Sequence, residues 1–277
     1  MGDRVQGKVA FITGAARGQG RSHAVRLAEE GADIIGVDLC AQVGTVPYPM
    51  ATREDLEQTR RLVEKLGRRM VTAEVDVRDS AGLRAALTDG VAALGRLDIV
   101  VANAGIWSHD RAESMSGAMW QDMIDINLTG VFNTCQAALP LLIDAGRGGS
   151  IILISSTAGL RGNANNLHYS AAKHGVVGIM RSMAVELAPH RIRVNTVHPT
   201  TVDTDMIRND AMLKLFRPHR EAPTMEEAVP AFSTVNLLPI PWVESIDISN
   251  AVLFLASDEA RYITSVSLPV DAGSTQR

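Results

Sequence analysis

The chain has 277 residues, 46% hydrophobic and 21% charged, a composition that supports a large buried core and excludes a disordered segment, a collagen-like repeat or a small disulfide scaffold. The 27 Lys and Arg against 31 Asp and Glu leave a formal charge of −4 with no basic run, so neither nucleic acid nor an anionic membrane is an expected partner. Two cysteines, Cys40 and Cys135, are too few for a disulfide framework, no apolar leader precedes the first strand pattern and no apolar stretch is long enough to span a bilayer, so a reducing cytoplasm is the expected setting.

Short apolar runs alternate with longer amphipathic stretches along the whole chain. Seven runs read as strands: Val9–Ile12, Asp33–Val37, Val71–Val75, Ile99–Ala102, Ser150–Ile154, Val194–Val197 and Val266–Val270. Most are nearly continuous in apolar residues, as strands covered on both faces must be. Helical periodicity lies between them, for example over Ser22–Glu30 before Gly31 and over Ala171–Leu187 before Pro189. This alternation predicts a single α/β domain over residues 1–277, a parallel seven-stranded sheet of Rossmann type with helices on both faces. Two segments interrupt the rhythm. Residues 40–52 form an insertion containing Pro47, Tyr48 and Pro49, and residues 200–242 carry five prolines between the sixth strand and the last helix. Long irregular segments in a compact domain commonly cover a site, and the second is read here as a cover for the substrate.

The first strand runs into Thr13-Gly14-Ala15-Ala16-Arg17-Gly18-Gln19-Gly20. Glycines at such a junction allow a tight turn and a close approach to a pyrophosphate at the helix N-terminus. The second strand ends at Asp38, 20 residues after Gly18, the spacing at which a carboxylate accepts from a ribose 2′-hydroxyl and repels a 2′-phosphate. NAD is therefore expected over NADP, with Arg17 and Arg21 as nearby cations that soften the preference. Leu39 follows Asp38 against the adenosine. Asp76 and Val77 after the third strand, and Asn103, Ala104 and Gly105 after the fourth, lie at the carboxyl ends of strands where ligands bind in open sheets.

The fifth strand ends at Ser155-Ser156, and Tyr169 and Lys173 stand at i and i+4 at the start of the next helix, on one face a turn apart. A phenol acts as a base near neutral pH only if its pKa falls by about 3 units, about 4 kcal/mol of phenolate stabilisation. A nearby ammonium and a cationic nicotinamide supply it. Tyr169 is then the group that takes the alcohol proton, Ser156 a neutral donor to the substrate oxygen, and Lys173 a partner of the phenol and the ribose.

In these motifs the chain resembles the short-chain dehydrogenase/reductase family from end to end: TGxxxGxG at Thr13–Gly20, NAG at Asn103–Gly105, Asn127, Ser156, Tyr169 and Lys173. The resemblance implies hydride exchange with nicotinamide, a proton relay in which Asn127 holds a water behind Lys173, cofactor contacts from Pro199, Thr200, Val202 and Thr204, and a homotetramer. By its residues alone, Asn127 reads as a helix-interior polar side chain bonded locally. Two departures stand out. Thr200 follows Pro199 where the family commonly has glycine, and the insertion at 40–52 is similar to that of the carveol-dehydrogenase-like branch associated with mycofactocin. That branch implies an NAD that stays bound and is reoxidised by an external carrier. A plain surface loop is the alternative reading of the insertion.

The substrate is less legible. Trp107, Leu160, Leu167, Met206, Phe216 and Trp242 lie in segments expected around the nicotinamide, which favours a hydrophobic secondary alcohol or its ketone; packing within the cover or at a subunit interface is the alternative. His109, His168 and His198 read as structural or polar contacts because Tyr169 already provides the acid/base, and no spacing of ligands points to a metal. An NADP-dependent ketone reductase and a catalytically silent NAD-binding sensor are the competing functions; Asp38 argues against the first and the intact relay against the second.

Overall fold

Apolar residues alternate between two faces along each strand, so the chain can bury a strand only by covering both sides. In the computed structural model, which describes residues 2–277, it does so. Seven strands, β1 (Val9–Thr13), β2 (Asp33–Asp38), β3 (Met70–Glu74), β4 (Ile99–Ala102), β5 (Gly149–Ile154), β6 (Ile192–Pro199) and β7 (Ser267–Val270), form one sheet in the order β3-β2-β1-β4-β5-β6-β7. Every adjacent pair is parallel. The expected strands agree to within two or three residues at each end. On β1, Phe11 enters one core and Ala10 and Ile12 the other, which is the period-two alternation of a strand made into two hydrophobic layers.

Helices α1 (Gly18–Glu29), α2 (Arg53–Lys65), α3 (Ser80–Leu94), α4 (Gly117–Ile124), α5 (Gly130–Ala145) and α6 (Leu167–Leu187) follow the strands, and α7 (Asp210–Phe216), α8 (Met225–Ser233) and α9 (Ser245–Ala256) lie between β6 and β7. Leu27 of α1, Leu56 of α2 and Val252 of α9 pack on one face; Leu87 of α3, Val131 of α5 and Val176 of α6 pack on the other. A π-turn at Asp125–Thr129 joins α4 to α5. The continuous rod from Gly117 to Ala145 is 29 residues long, and its most apolar stretch, about as long as a bilayer is thick, is 56% buried within the protein.

The order of the sheet reverses between β1 and β4, so the chain leaves these two strands in opposite directions and opens a crevice beyond their carboxyl ends. Residues 40–52 carry no regular structure, yet Val43, Val46 and Tyr48 are buried. Residues 200–242 are more ordered than their prolines predict. Asn209 caps α7 through the Met212 N–H, and Thr224 with Glu227 forms a capping box on α8. Phe216 and Phe232 then stack with centroids 4.1 Å apart, and Phe232 meets Trp242 edge-on, so the segment folds as a small helical cap.

Candidate active site

The turn after β1 can be made only by glycine. Gly14 has φ +68°, and a Cβ there would lie 2.9 Å from the Ala104 Cα; a Cβ on Gly20 would lie 1.9 Å from the Gly14 carbonyl oxygen. Asn103 Nδ2 donates to the Thr13 carbonyl at 3.0 Å, locking the turn to the end of β4. The N-terminus of α1 has no side-chain cap and no acidic residue in its first turn, so its free N–H groups face the crevice as an anion site. Gln19 Oε1 is buried there without a hydrogen-bond partner.

A first cavity runs along this turn, lined by Gly14, Arg17, Gly18, Gln19, Gly20, Asp38, Leu39, Asp76, Val77, Asn103, Ala104, Gly105 and Thr204. Asp38 is held by the N–H groups of Ala16 at 3.0 Å and Cys40 at 3.3 Å. Burial pushes its carboxyl upward, and those N–H donors oppose the shift. The two arginines expected near a phosphate are otherwise engaged. Arg21 donates to the Ala16 and Asp55 carbonyls and Thr59, while Arg17 donates to the Pro49 carbonyl and pairs with Asp205 at 2.9 Å. Asp76, for its part, is paired with Arg78 at 2.6 Å.

A second cavity of about 490 Å³ adjoins the first and shares Gln19, Thr204 and Met206 with it. Ser156, Tyr169, Pro199, Thr200, Val202 and Trp107 lie on its walls. Tyr169 is pushed up by burial, with the Ser156 hydroxyl opposing. Lys173 lies behind it, 4% exposed, with Nζ donating to the Ile154 carbonyl at 2.9 Å and standing 5.7 Å from the Tyr169 ring centre. Burial lowers its ammonium to about 8. Asn127 sits in the π-turn, its Oδ1 accepting from the Ile106 N–H and its Nδ2 donating to the Ile106 carbonyl, both at 2.8 Å. Its side chain clamps the strand-end loop beside Lys173 across Gly105, so its two backbone bonds reach a segment 21 residues away and only its contact with Met123 Sδ is local.

Residues 8–212 match the family model described as short chain dehydrogenase. The chain belongs to the short-chain dehydrogenase family. It is 56% identical to (-)-trans-carveol dehydrogenase of Rhodococcus erythropolis over 98% of this chain and 99% of that one. The crystal structure of carveol dehydrogenase from Mycobacterium avium in complex with NAD superposes with a TM-score of 0.98 at 57% identity, over 99% of this chain and 100% of that one. A short chain dehydrogenase from Mycobacterium paratuberculosis bound to NAD gives 0.92 at 48% identity, over 99% and 100%.

In this short-chain dehydrogenase the glycine usual after Pro199 is not needed. Thr200 is not among the residues with positive φ, and its hydroxyl donates to Asn236 Oδ1 at 2.8 Å. His198 has a place that spacing could not reveal: Nδ1 meets the Ser156 carbonyl at 2.7 Å and must donate, leaving Nε2 to accept from Thr196 at 2.8 Å. Burial lowers its pKa, so the ring holds Ser156 in place as a neutral imidazole. His168 bonds Ser108, and His109 stacks on Trp107 with centroids 5.1 Å apart. Of the residues expected around the substrate, Trp107, Met206 and Phe216 line the second cavity. Leu160 and Leu167 point to solvent, 37% and 50% exposed, and Trp242 packs against Phe232 and under Arg208; none of these three lines it. Sequence reasoning missed Tyr48, Arg161 and Arg277. Tyr48 lines the first cavity, and the Trp107 N–H donates to its hydroxyl oxygen at 3.1 Å.

Proposed function

We propose that the protein is an NAD-dependent alcohol dehydrogenase that oxidises a hydrophobic secondary alcohol, or reduces its ketone, with Tyr169 as the general acid/base. The observation that carries this reading is the joining of a glycine-walled nucleotide cavity to a second cavity in which Ser156 and Tyr169 line the wall and a buried Lys173 stands behind them. Gly14, Gly18 and Gly20 fit a pyrophosphate because only a backbone without side chains leaves room, Asp38 in the same cavity would accept from a ribose diol, Thr204 lines both cavities and Val202 lines the second. When bound, NAD accepts the hydride from the carbinol carbon.

The remaining steps belong to the chain itself. Ser156 Oγ donates to the substrate oxygen, and the Tyr169 phenolate takes the hydroxyl proton as charge develops. Lys173 lowers the cost of that phenolate, and Asn127 and His198 hold the two loops that carry the site. If Asp38 selects the cofactor, Asp38→Ser raises the affinity for NADP relative to NAD at least tenfold, as read by titration of both; an unchanged preference overturns the assignment.

The carveol dehydrogenase relatives support an alicyclic or terpenoid alcohol, and the insertion supports a cofactor that is retained and reoxidised by an external carrier such as mycofactocin. Residues 40–52 reach across the crevice: Thr45 bonds Asp122 at 2.7 Å, Tyr48 meets Trp107, and Arg17 ties Pro49 to Asp205. The ion pair is solvent-exposed and worth at most about 1 kcal/mol. Buried Tyr48, 5% exposed, is the stronger anchor. A homotetramer is also part of this reading, and Trp120 and Phe132 present exposed apolar surface on the long α4–α5 rod. Native mass spectrometry of the purified protein reads both features: the expected mass is four subunits, each with one NAD(H), and Tyr48→Ala releases the cofactor. Wild-type protein that exchanges added NAD at an ordinary turnover rate overturns the retention.

A further inference from the structure

On the wall of the substrate cavity, buried Trp107 is held through its backbone, its ring nitrogen and its ring face. The backbone N–H donates to the Tyr48 hydroxyl oxygen at 3.1 Å, the indole Nε1 donates to Asn166 Oδ1 at 3.2 Å, and the ring stacks on His109 with the two planes 20° apart. The residues on either side are fixed as well. Asn127 bonds both the N–H and the carbonyl of Ile106, Ser108 Oγ shares a hydrogen bond of 3.0 Å with His168 Nε2, and the Asp110 N–H donates to the Asn165 carbonyl at 3.1 Å. Asn165 presents that carbonyl from φ +61°, a left-handed conformation that asparagine tolerates better than most residues. Other apolar lining comes from residues 200–242, where Met206, Met212, Leu215 and Phe216 reach the same cavity. Methionine is unbranched with three rotatable bonds, so it fills gaps of many shapes.

A wall that adapts to its ligand rewards apolar surface of any outline, whereas a wall that cannot shift rejects atoms placed where it stands. The Asn166 bond and the His109 stack orient the indole, and the Tyr48 hydroxyl fixes the backbone from which it projects. Tyr48 belongs to the insertion and lines the cofactor cavity but not the substrate cavity, so its effect on the alcohol passes through Trp107. We infer that Trp107 determines which alicyclic alcohols are accepted, by where a ring substituent stands relative to the carbinol carbon, and that Tyr48 is a positioning residue for this wall. The insertion thereby acts on the substrate through one hydrogen bond. This rests on the dehydrogenase reading of Ser156 and Tyr169 and adds no chemical step to it.

Positional isomers carry the same atoms and nearly the same hydrophobicity, so the 2-, 3- and 4-tert-butylcyclohexanols separate shape from apolar area. With the full-length protein, NAD and an artificial electron acceptor, kcat/KM for the best isomer is expected to exceed that for the worst by at least about tenfold, the scale on which apolar pockets discriminate. Trp107→Ala brings this ratio close to one, and Trp107→Phe, which keeps a stacking ring, retains part of it. Tyr48→Phe keeps the ring in the insertion but removes the oxygen that accepts from the Trp107 N–H, and it lowers the ratio severalfold, chiefly by raising KM for the best isomer. Met212→Ala, on the adaptable side, changes the ratio by no more than about twofold. A loss of stability alone lowers the turnover of all isomers alike and leaves their ratio unchanged. An unchanged ratio in Trp107→Ala and Trp107→Phe therefore overturns the role of Trp107, and an unchanged ratio in Tyr48→Phe overturns that of Tyr48. A wild-type ratio near one, or a ratio that collapses as far in Met212→Ala as in Trp107→Ala, overturns the fixed wall and leaves the dehydrogenase reading standing. Failure of the wild-type protein to turn over any alcohol or ketone overturns that underlying reading as well.

Discussion

Tyr169→Phe lowers kcat for alcohol oxidation by about 10²–10⁴, the range that general acid/base catalysis contributes, while NAD affinity stays within about twofold of wild type. The substitution removes one oxygen. In the proposed mechanism that oxygen belongs to the group that receives the alcohol proton, and Phe offers no substitute at any pH. Binding is preserved because the pyrophosphate turn and Asp38 line the first cavity, whereas Tyr169 lines the second. A drop of this size corresponds to about 3–5 kcal/mol in the barrier, far more than one half-buried hydroxyl contributes to folding, so the thermal midpoint moves by only a few degrees. Steady-state kinetics beside a cofactor titration checks this. Retention of activity within tenfold would show that the phenol is not the acid/base.

Lys173→Met is expected to lower kcat/KM at pH 7 by about 10² and to move the acidic limb of the oxidation profile upward. The reason is electrostatic. Burial pushes the Tyr169 phenol up, away from the range in which it accepts a proton, and an ammonium 5.7 Å from the ring centre opposes that shift. At an effective dielectric of about 20 a unit charge at this distance is worth about 3 kcal/mol. The ammonium itself is lowered to about 8 by burial. Its support for the phenolate is therefore full well below pH 8 and fades as the pH rises through that value, unless the phenolate forms and raises the ammonium in turn. Met fills similar volume but leaves the Ile154 carbonyl without its donor, a cost of about 1–3 kcal/mol offset by no longer burying a charge. Lys173→Arg keeps a charge at every accessible pH and should hold the limb near its wild-type position. A profile of kcat/KM from pH 6 to 10 for the three proteins distinguishes electrostatic support from packing: a limb that does not move in Lys173→Met contradicts the first.

The strands were legible because a strand covered on both faces has little choice but to be apolar throughout, and their expected ends fall within a few residues of those found. The errors have physical causes. Helix α1 starts at Gly18, four residues before the expected Ser22, because Gly18 and Gly20 belong to its first turn, where a Cβ on Gly20 would collide with the Gly14 carbonyl. Helices α7 and α8 were hidden by the five prolines of residues 200–242, since proline weighs against a helix in a sequence but caps and aromatic stacking outweigh it in the fold. The exposed positions of Leu160 and Leu167 were equally invisible, because apolarity alone does not say which side of a loop a residue takes.

By itself the sequence determined what depends on neighbours along the chain: the order of strands and helices, the glycine turn at the end of β1, Asp38 at the end of β2, and the one-turn spacing of Tyr169 and Lys173. These are local because a strand end delivers its residues to the crevice wherever the rest of the chain goes. Only the tertiary structure decided which distant groups share that crevice. Arg161 meets Ser274 across 113 residues, Trp107 meets Tyr48 across 59 and His198 holds Ser156 across 42. No periodicity encodes such pairs, because they arise when a parallel sheet stacks segments far apart in sequence and a cap closes over the result. They turn a nucleotide site common to the family into a cavity with a clamped insertion and a histidine that holds Ser156 from beneath.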